Sequence, residues 1–113
     1  MKNKILILTL ILFITQFYAQ ELTWVNTMGG TDAAAGGTIT TDLNGAIYTA
    51  GYFFGTVDFD PAASVFELTA QGSSDVFIQK TDADGNFVWA YNFGNTNAEN
   101  AGTLFTDNQN NVY

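Results

Sequence analysis

Apolar positions run in two different ways along this chain. From Ile5 to Ile14 they form a block broken only by Thr9. Further on they alternate: Phe87, Trp89, Tyr91 and Phe93 take one set of positions, and Val88, Ala90 and Asn92 the other. A period of two, rich in aromatic and β-branched residues, predicts β-strand. The same reading gives four principal strands, near 37–41, 46–53, 75–81 and 86–93. Leu22–Thr27 has the pattern of Phe87–Asn92 and is read as a further strand, and Phe66–Thr69 as a short extra one. Asp42-Leu43-Asn44-Gly45 and Asp82-Ala83-Asp84-Gly85 separate strands as tight turns, because Asp can bond the turn backbone and Gly takes a positive φ without steric cost. Asp107-Asn108-Gln109-Asn110 has the same form, with Asn able to take the left-handed position held by Gly in the other two. Gly29-Gly30 and Gly36-Gly37 bracket the small residues Thr31–Ala35, read as a flexible loop between repeat units. No helical period follows the first block.

Ile47 falls on one side of its strand, and Tyr48, Ala50 and Tyr52 on the other, so both sides are partly apolar. A sheet with one wet face alternates more cleanly. Apolar character on both faces predicts sheets stacked against both sides, the arrangement of propeller blades. The chain also repeats itself. With an offset of 65, nine of the 25 pairs from Trp24/Trp89 to Tyr48/Tyr113 are identical without a gap, including Gly37/Gly102, Asp42/Asp107 and the two terminal pairs. That spacing belongs to repeat architectures. The expected fold is all-β: a four-stranded antiparallel propeller-type blade plus strands of incomplete neighbouring blades. Residues 20–113 make up about one and a half copies.

The first block changes how the charge is read. Lys2 and Lys4 precede the apolar run, and Ala19 closes it, which is the plan of a secretory signal peptide over 1–19. The run is shorter than the roughly 20 apolar residues of a membrane span. After its removal Lys80 is the single basic side chain against all 11 carboxylates. Phosphate backbones need basic partners, so nucleic acid is a poor partner for this surface. Cysteine and histidine are absent, which excludes disulfides, thiol nucleophiles, Ser-His-Asp catalysis and zinc sites from this segment.

Three stretches carry a family resemblance. Gly37-Thr-Ile-Thr-Thr-Asp-Leu-Asn-Gly-Ala-Ile-Tyr-Thr-Ala-Gly-Tyr-Phe53, Val57-Asp-Phe-Asp-Pro61 and Ser74-Asp-Val-Phe-Ile-Gln-Lys-Thr-Asp-Ala-Asp-Gly-Asn-Phe-Val-Trp-Ala90 together resemble the bacterial SBBP β-propeller repeat. The resemblance implies an exported protein built as an array of blades and brings no catalytic motif, so no site residue is carried over from it. It also implies that this chain is the N-terminal part of a longer protein, with Leu22–Thr27 completing a blade whose other strands lie elsewhere.

Candidate chemistry is sparse. Asp58 and Asp60 flank Phe59 on extended chain and face one side, as calcium ligands would, and could stabilise the repeat through Ca²⁺; as loop residues they would instead bond the backbone around Pro61. Asp82-Ala83-Asp84-Gly85-Asn86 lacks the Glu of a calcium loop and reads as a turn. Asp32, Asp42, Glu67, Asp75 and Glu99 could in principle supply a glycosidase pair, but no spacing selects one. Trp24, Trp89, Tyr91, Tyr52, Phe53 and Phe54 could stack on sugars, although the recurrence of Trp24 at Trp89 favours packing. The expectation is an exported, non-catalytic scaffold or cell-surface interaction module, secreted or surface-bound, binding a protein or carbohydrate, with no cofactor or metal. The alternative is the N-terminal part of an extracellular enzyme, one acting on polysaccharide for example, whose catalytic residues lie beyond Tyr113.

Overall fold

The computed structural model describes residues 22–30 and 32–113. The leader assigned to 1–19 lies outside them. Among the described residues no helix is long and apolar enough to cross a membrane. Six strands are formed: β1 (Ala34–Thr41), β2 (Ile47–Phe53), β3 (Thr56–Asp58), β4 (Glu67–Thr69), β5 (Asp75–Thr81) and β6 (Phe87–Phe93). Four of them make one antiparallel sheet in the order β1-β2-β5-β6, and β3 and β4 pair as a separate hairpin.

The alternation seen in the sequence is the alternation of burial. Along β5, Asp75, Phe77, Gln79 and Thr81 are buried, while Val76, Ile78 and Lys80 are half-buried. Cross-strand pairing sets Phe77 opposite Gly51 and Asn92, and Gln79 opposite Ala90. The core forms on this face from Phe53, Val57, Phe59, Phe77 and Ala90. Phe59 and Phe77 lie 4.9 Å apart between centroids, and Phe53 meets Phe59 edge-on at 5.4 Å. Val57 and Phe59 come from the β3–β4 connection, so the hairpin closes over the sheet. Gln79 fixes it there by donating to the Phe59 carbonyl at 2.6 Å.

β1 departs from the expected course. The strand starts at Ala34, so the small-residue stretch read as a flexible loop is partly sheet. Ala34, Ala35 and Gly36 pair with Phe53, Tyr52 and Gly51, and the register shifts between Gly36 and Thr38. Gly37 is thus the extra residue of a bulge, for which glycine is well suited. The backbones approach closely here: a Cβ on Gly51 would lie 1.9 Å from the Ala35 carbonyl oxygen.

Leu22–Thr27 is a second departure, since no strand forms there. Its counterpart, β6, is hydrogen-bonded to β5; residues 22–27 have no β5-like neighbour to pair with. They cross the core face of the sheet instead. Trp24 lies against Gly85, Asn26 donates its amide to the Gly85 carbonyl, and Gly29 exchanges hydrogen bonds of 3.1 and 2.8 Å with Asp58. Leu22 and Val25 remain exposed.

The opposite face carries Tyr48, Tyr52, Val76, Ile78, Trp89, Tyr91 and Phe93. Residues 98–113 cover part of it. This segment is the second copy, and it meets the first at equivalent positions. The Leu104 amide donates to Thr38 Oγ1 at 3.3 Å, Thr106 Oγ1 to the Thr41 carbonyl at 2.7 Å, and the Leu43 amide to Asn110 Oδ1 at 3.1 Å. Thr38/Thr103, Thr41/Thr106 and Gly45/Asn110 are repeat-related pairs, so successive copies lie side by side in nearly the same register.

Candidate functional site

Three acidic turns share one construction. Asp42, Asp82 and Asp107 each accept two backbone N–H groups on Oδ1: from Asn44 and Ala46, from Asp84 and Asn86, and from Gln109 and Asn111, all at 2.8–3.0 Å. Each turn closes with the fourth residue donating to the Asp carbonyl at 3.1 Å. That residue has positive φ in every case: Gly45 at 81°, Gly85 at 86° and Asn110 at 62°. The repeat extends into side-chain chemistry. The Tyr48 hydroxyl donates to Asp42 Oδ2 at 3.1 Å, and the Tyr113 hydroxyl to Asp107 Oδ2 at 3.2 Å. Asp42 additionally stands 3.8 Å from Lys80, whose ammonium lies over the Tyr48 ring.

These contacts set the protonation of the turns. Burial pushes Asp42 up, but the N–H groups of Ala46 and Asn44, the Tyr48 hydroxyl and Lys80 together outweigh it and leave the carboxyl below its ordinary value of 3.8. Asp82 is lowered by the Asn86 side chain and then its N–H, and Asp107 in the same way by Asn111. A carboxyl lowered in the folded state adds stability that is complete above its unfolded pKa and disappears as pH falls through the folded one. The melting temperature should therefore hold steady from neutrality down to about pH 4 and drop below it. Asp82→Asn, which keeps the turn acceptor without the charge, should flatten that acid slope; an unchanged slope would remove these turns from the account.

The other carboxylates also turn inward to the chain's own donors. Asp58 Oδ1 accepts from the Asp60 and Phe66 amides at 3.0 and 2.9 Å, and Asp60 accepts from the Ala62 amide and the Ser64 hydroxyl. The pair proposed for calcium thus pins the loop around Pro61. Asp32 accepts from the Thr56 amide, and fully buried Asp75 from the Gln71 amide and the Asn92 side chain. Glu67 is exposed on β4. Among the described residues no group of three or more acidic side chains is gathered as a metal site would require.

Glu99 differs from all of these. Its Oε2 is shielded from solvent and has no hydrogen-bond partner among the described residues. Nothing in its sequence neighbourhood signals this, because the burial comes from docking against residue 74, 25 positions away: the Glu99 amide donates to the Ser74 carbonyl, and the Ser74 hydroxyl to the Glu99 carbonyl, both at 3.2 Å. The aromatic candidates separate in the structure. Phe53 is core. Trp24 packs on a turn, and Trp89 lies between Tyr48 and Tyr91 at 6.0 and 5.3 Å. Tyr52 and Phe54 meet edge-on at 5.7 Å, with Phe54 44% exposed. They border the same cleft as Glu99.

No family model and no solved structure matches the chain. It is similar to an uncharacterized WD repeat-containing protein of Acanthamoeba polyphaga mimivirus, 27% identical over 103 aligned positions that take in 79% of this chain. The chain spans 7% of that relative's length. Together with the four-stranded antiparallel sheet, this likeness supports a repetitive all-β protein.

Proposed function

We propose that the chain is a propeller-type repeat module that works as an exported, non-catalytic scaffold or cell-surface interaction unit. The observation that carries this reading is the meeting of the two copies, in which residues 104–110 of the second lie beside β1 and its turn at nearly equivalent positions, held at Thr38, Thr41 and Leu43. An arrangement that brings equivalent segments together side by side extends to further copies around a common axis, as blades do. The sheet's second face supports the same geometry. Tyr91 and Phe93 stay exposed on a face that a complete neighbouring sheet would bury. The WD-repeat likeness agrees with a blade array, and the SBBP-like motifs favour a bacterial, exported version of it. Export rests on the leader-type sequence at 1–19, and the lack of a catalytic role on the sequence motifs.

Electron microscopy of the natural gene product should show radially arranged blades around a central axis, and cell fractionation should find the protein outside the cytoplasm. A rod-shaped particle would reject the propeller, and a cytoplasmic protein would reject export.

A further inference from the structure

The chain contains one Asn-Gly step, Asn44-Gly45, and it lies in the first of the three acidic turns. The equivalent steps in the other two are Asp84-Gly85 and Gln109-Asn110, so an asparagine amide followed by an unhindered nitrogen occurs in this turn alone. Asn44 and Gly45 are both exposed. Such a step reacts with itself. The Gly45 nitrogen attacks Asn44 Cγ and loses its proton as the new N–C bond forms, and the Cγ–Nδ2 bond breaks with departure of ammonia. One water then opens the cyclic imide. The product is aspartate or, with the main chain rerouted through the side chain, isoaspartate.

The turn opposes the first step. The Gly45 amide donates to the Asp42 carbonyl at 3.1 Å, and the Asn44 amide to Asp42 Oδ1 at 2.9 Å. Ring closure needs the Asn44–Gly45 peptide to swing toward the Asn44 side chain, which breaks the Gly45 bond. Two neighbours resist that swing. Ala83 Cβ, in the adjoining turn, lies 3.2 Å from where a Gly45 Cβ would stand. In the second copy, Asn110 Oδ1 accepts from the Leu43 amide at 3.1 Å. The reaction therefore runs through an opened turn, and its rate follows the opening equilibrium.

We propose that Asn44 is a site of spontaneous deamidation whose rate is set by the junction between the copies, with Asn110 of the second copy holding the first copy's turn shut. The isoaspartyl product lengthens the main chain inside the turn. The Asp42 bond to the Ala46 amide and the Leu43 contact with Asn110 then no longer fit. The modification thus loosens the same junction that delays it.

Peptide mapping by mass spectrometry, after timed incubation of the full chain at neutral pH, measures conversion at Asn44; a synthetic peptide of residues 40–48 gives the unrestrained rate. Asn44 in the folded chain should convert about tenfold or more slowly than in the peptide. Asn110→Gly keeps the positive φ of this position and removes only the side-chain acceptor, leaving the third turn with the glycine of the other two. It should speed conversion about two- to tenfold, the worth of one hydrogen bond. Asn108→Ala, exposed in the same turn, should leave the rate unchanged, and Asn44→Gln should remove the product. Amide exchange along β5 should be the same with and without Asn110→Gly, so that faster conversion reports on the turn and not on global unfolding. The inference is overturned if folded chain and peptide convert equally fast, if the chain unfolded in urea does not convert at Asn44, or if Asn110→Gly leaves the rate where it was or raises it only together with exchange along β5.

Discussion

Replacing Phe77 with alanine is expected to cost about 3–5 kcal/mol, the range for removing a fully buried aromatic side chain. The ring is completely buried at the centre of the core face, 4.9 Å from Phe59 and 6.4 Å from Phe53 between centroids. It is also the surface on which the β3–β4 connection closes, so truncation removes support from Val57 and Phe59 together. Small domains have little stability to spare, and a loss of this size takes a large share of it. Urea titration followed by far-UV circular dichroism measures the change as a shift in midpoint. Phe93→Ala is the control. Phe93 sits on the other face and is 60% exposed, so its removal should cost under about 1 kcal/mol. Equal losses for the two would mean that the core does not lie where the burial pattern puts it.

The second large effect is expected at Gly51. An added Cβ would lie 1.9 Å from the Ala35 carbonyl oxygen and 2.9 Å from Gly36 Cα. Both are backbone atoms of β1, so no side chain can swing aside to make room. β1 must then separate from β2 around the bulge, and Gly51→Ala should destabilise by about 3 kcal/mol or more, at the upper end for overpacking. Gly37→Ala, two residues from the same contact, would meet the Ala50 carbonyl oxygen at 3.6 Å and Gly51 Cα at 3.9 Å. That is ordinary van der Waals contact, and the change should stay within about 1 kcal/mol. Amide exchange adds a local reading: in Gly51→Ala the amides of β1 should exchange faster while those of β5 keep their protection. Similar behaviour of the two glycine variants would show that the strands have more room than the geometry allows.

Much of the fold was legible because it depends on local periodicity. Three of the four principal strands lie within a residue of the expected positions, since the residues around Phe77 and Trp89 follow a period of two and the Asp-Gly turns bound the strands. The turns were legible for a chemical reason: Asp with Gly or Asn three residues later encodes its own hydrogen bonds, and Asn110 takes the left-handed conformation expected of it. The misreadings come from partners distant in sequence. Ala34–Gly36 has no pattern of its own and becomes strand only because Gly51 lets two backbones approach. Leu22–Thr27 shares the pattern of β6 without a β5-type neighbour, and similarity between repeats does not supply one. β3 was missed because three residues carry too little alternation to register. In the candidate site, the sequence marks Tyr52, Phe53 and Phe54 together as aromatics open to a ligand; Phe54 is exposed, Tyr52 half-buried and Phe53 core. The condition of Glu99 could not, because Ser74 creates it.

The contact between the copies has a mechanical consequence. Each sheet is closed by continuous backbone ladders, whereas the junction relies on a few threonine hydroxyls and single amides at Thr38, Thr41 and Leu43. Pulled from its ends, the chain should part at these latches before the four-stranded sheet unravels, and relaxation should let the hydroxyls find their carbonyls again. Extension of that kind would lengthen the chain at its junction while the four-stranded sheet stays intact.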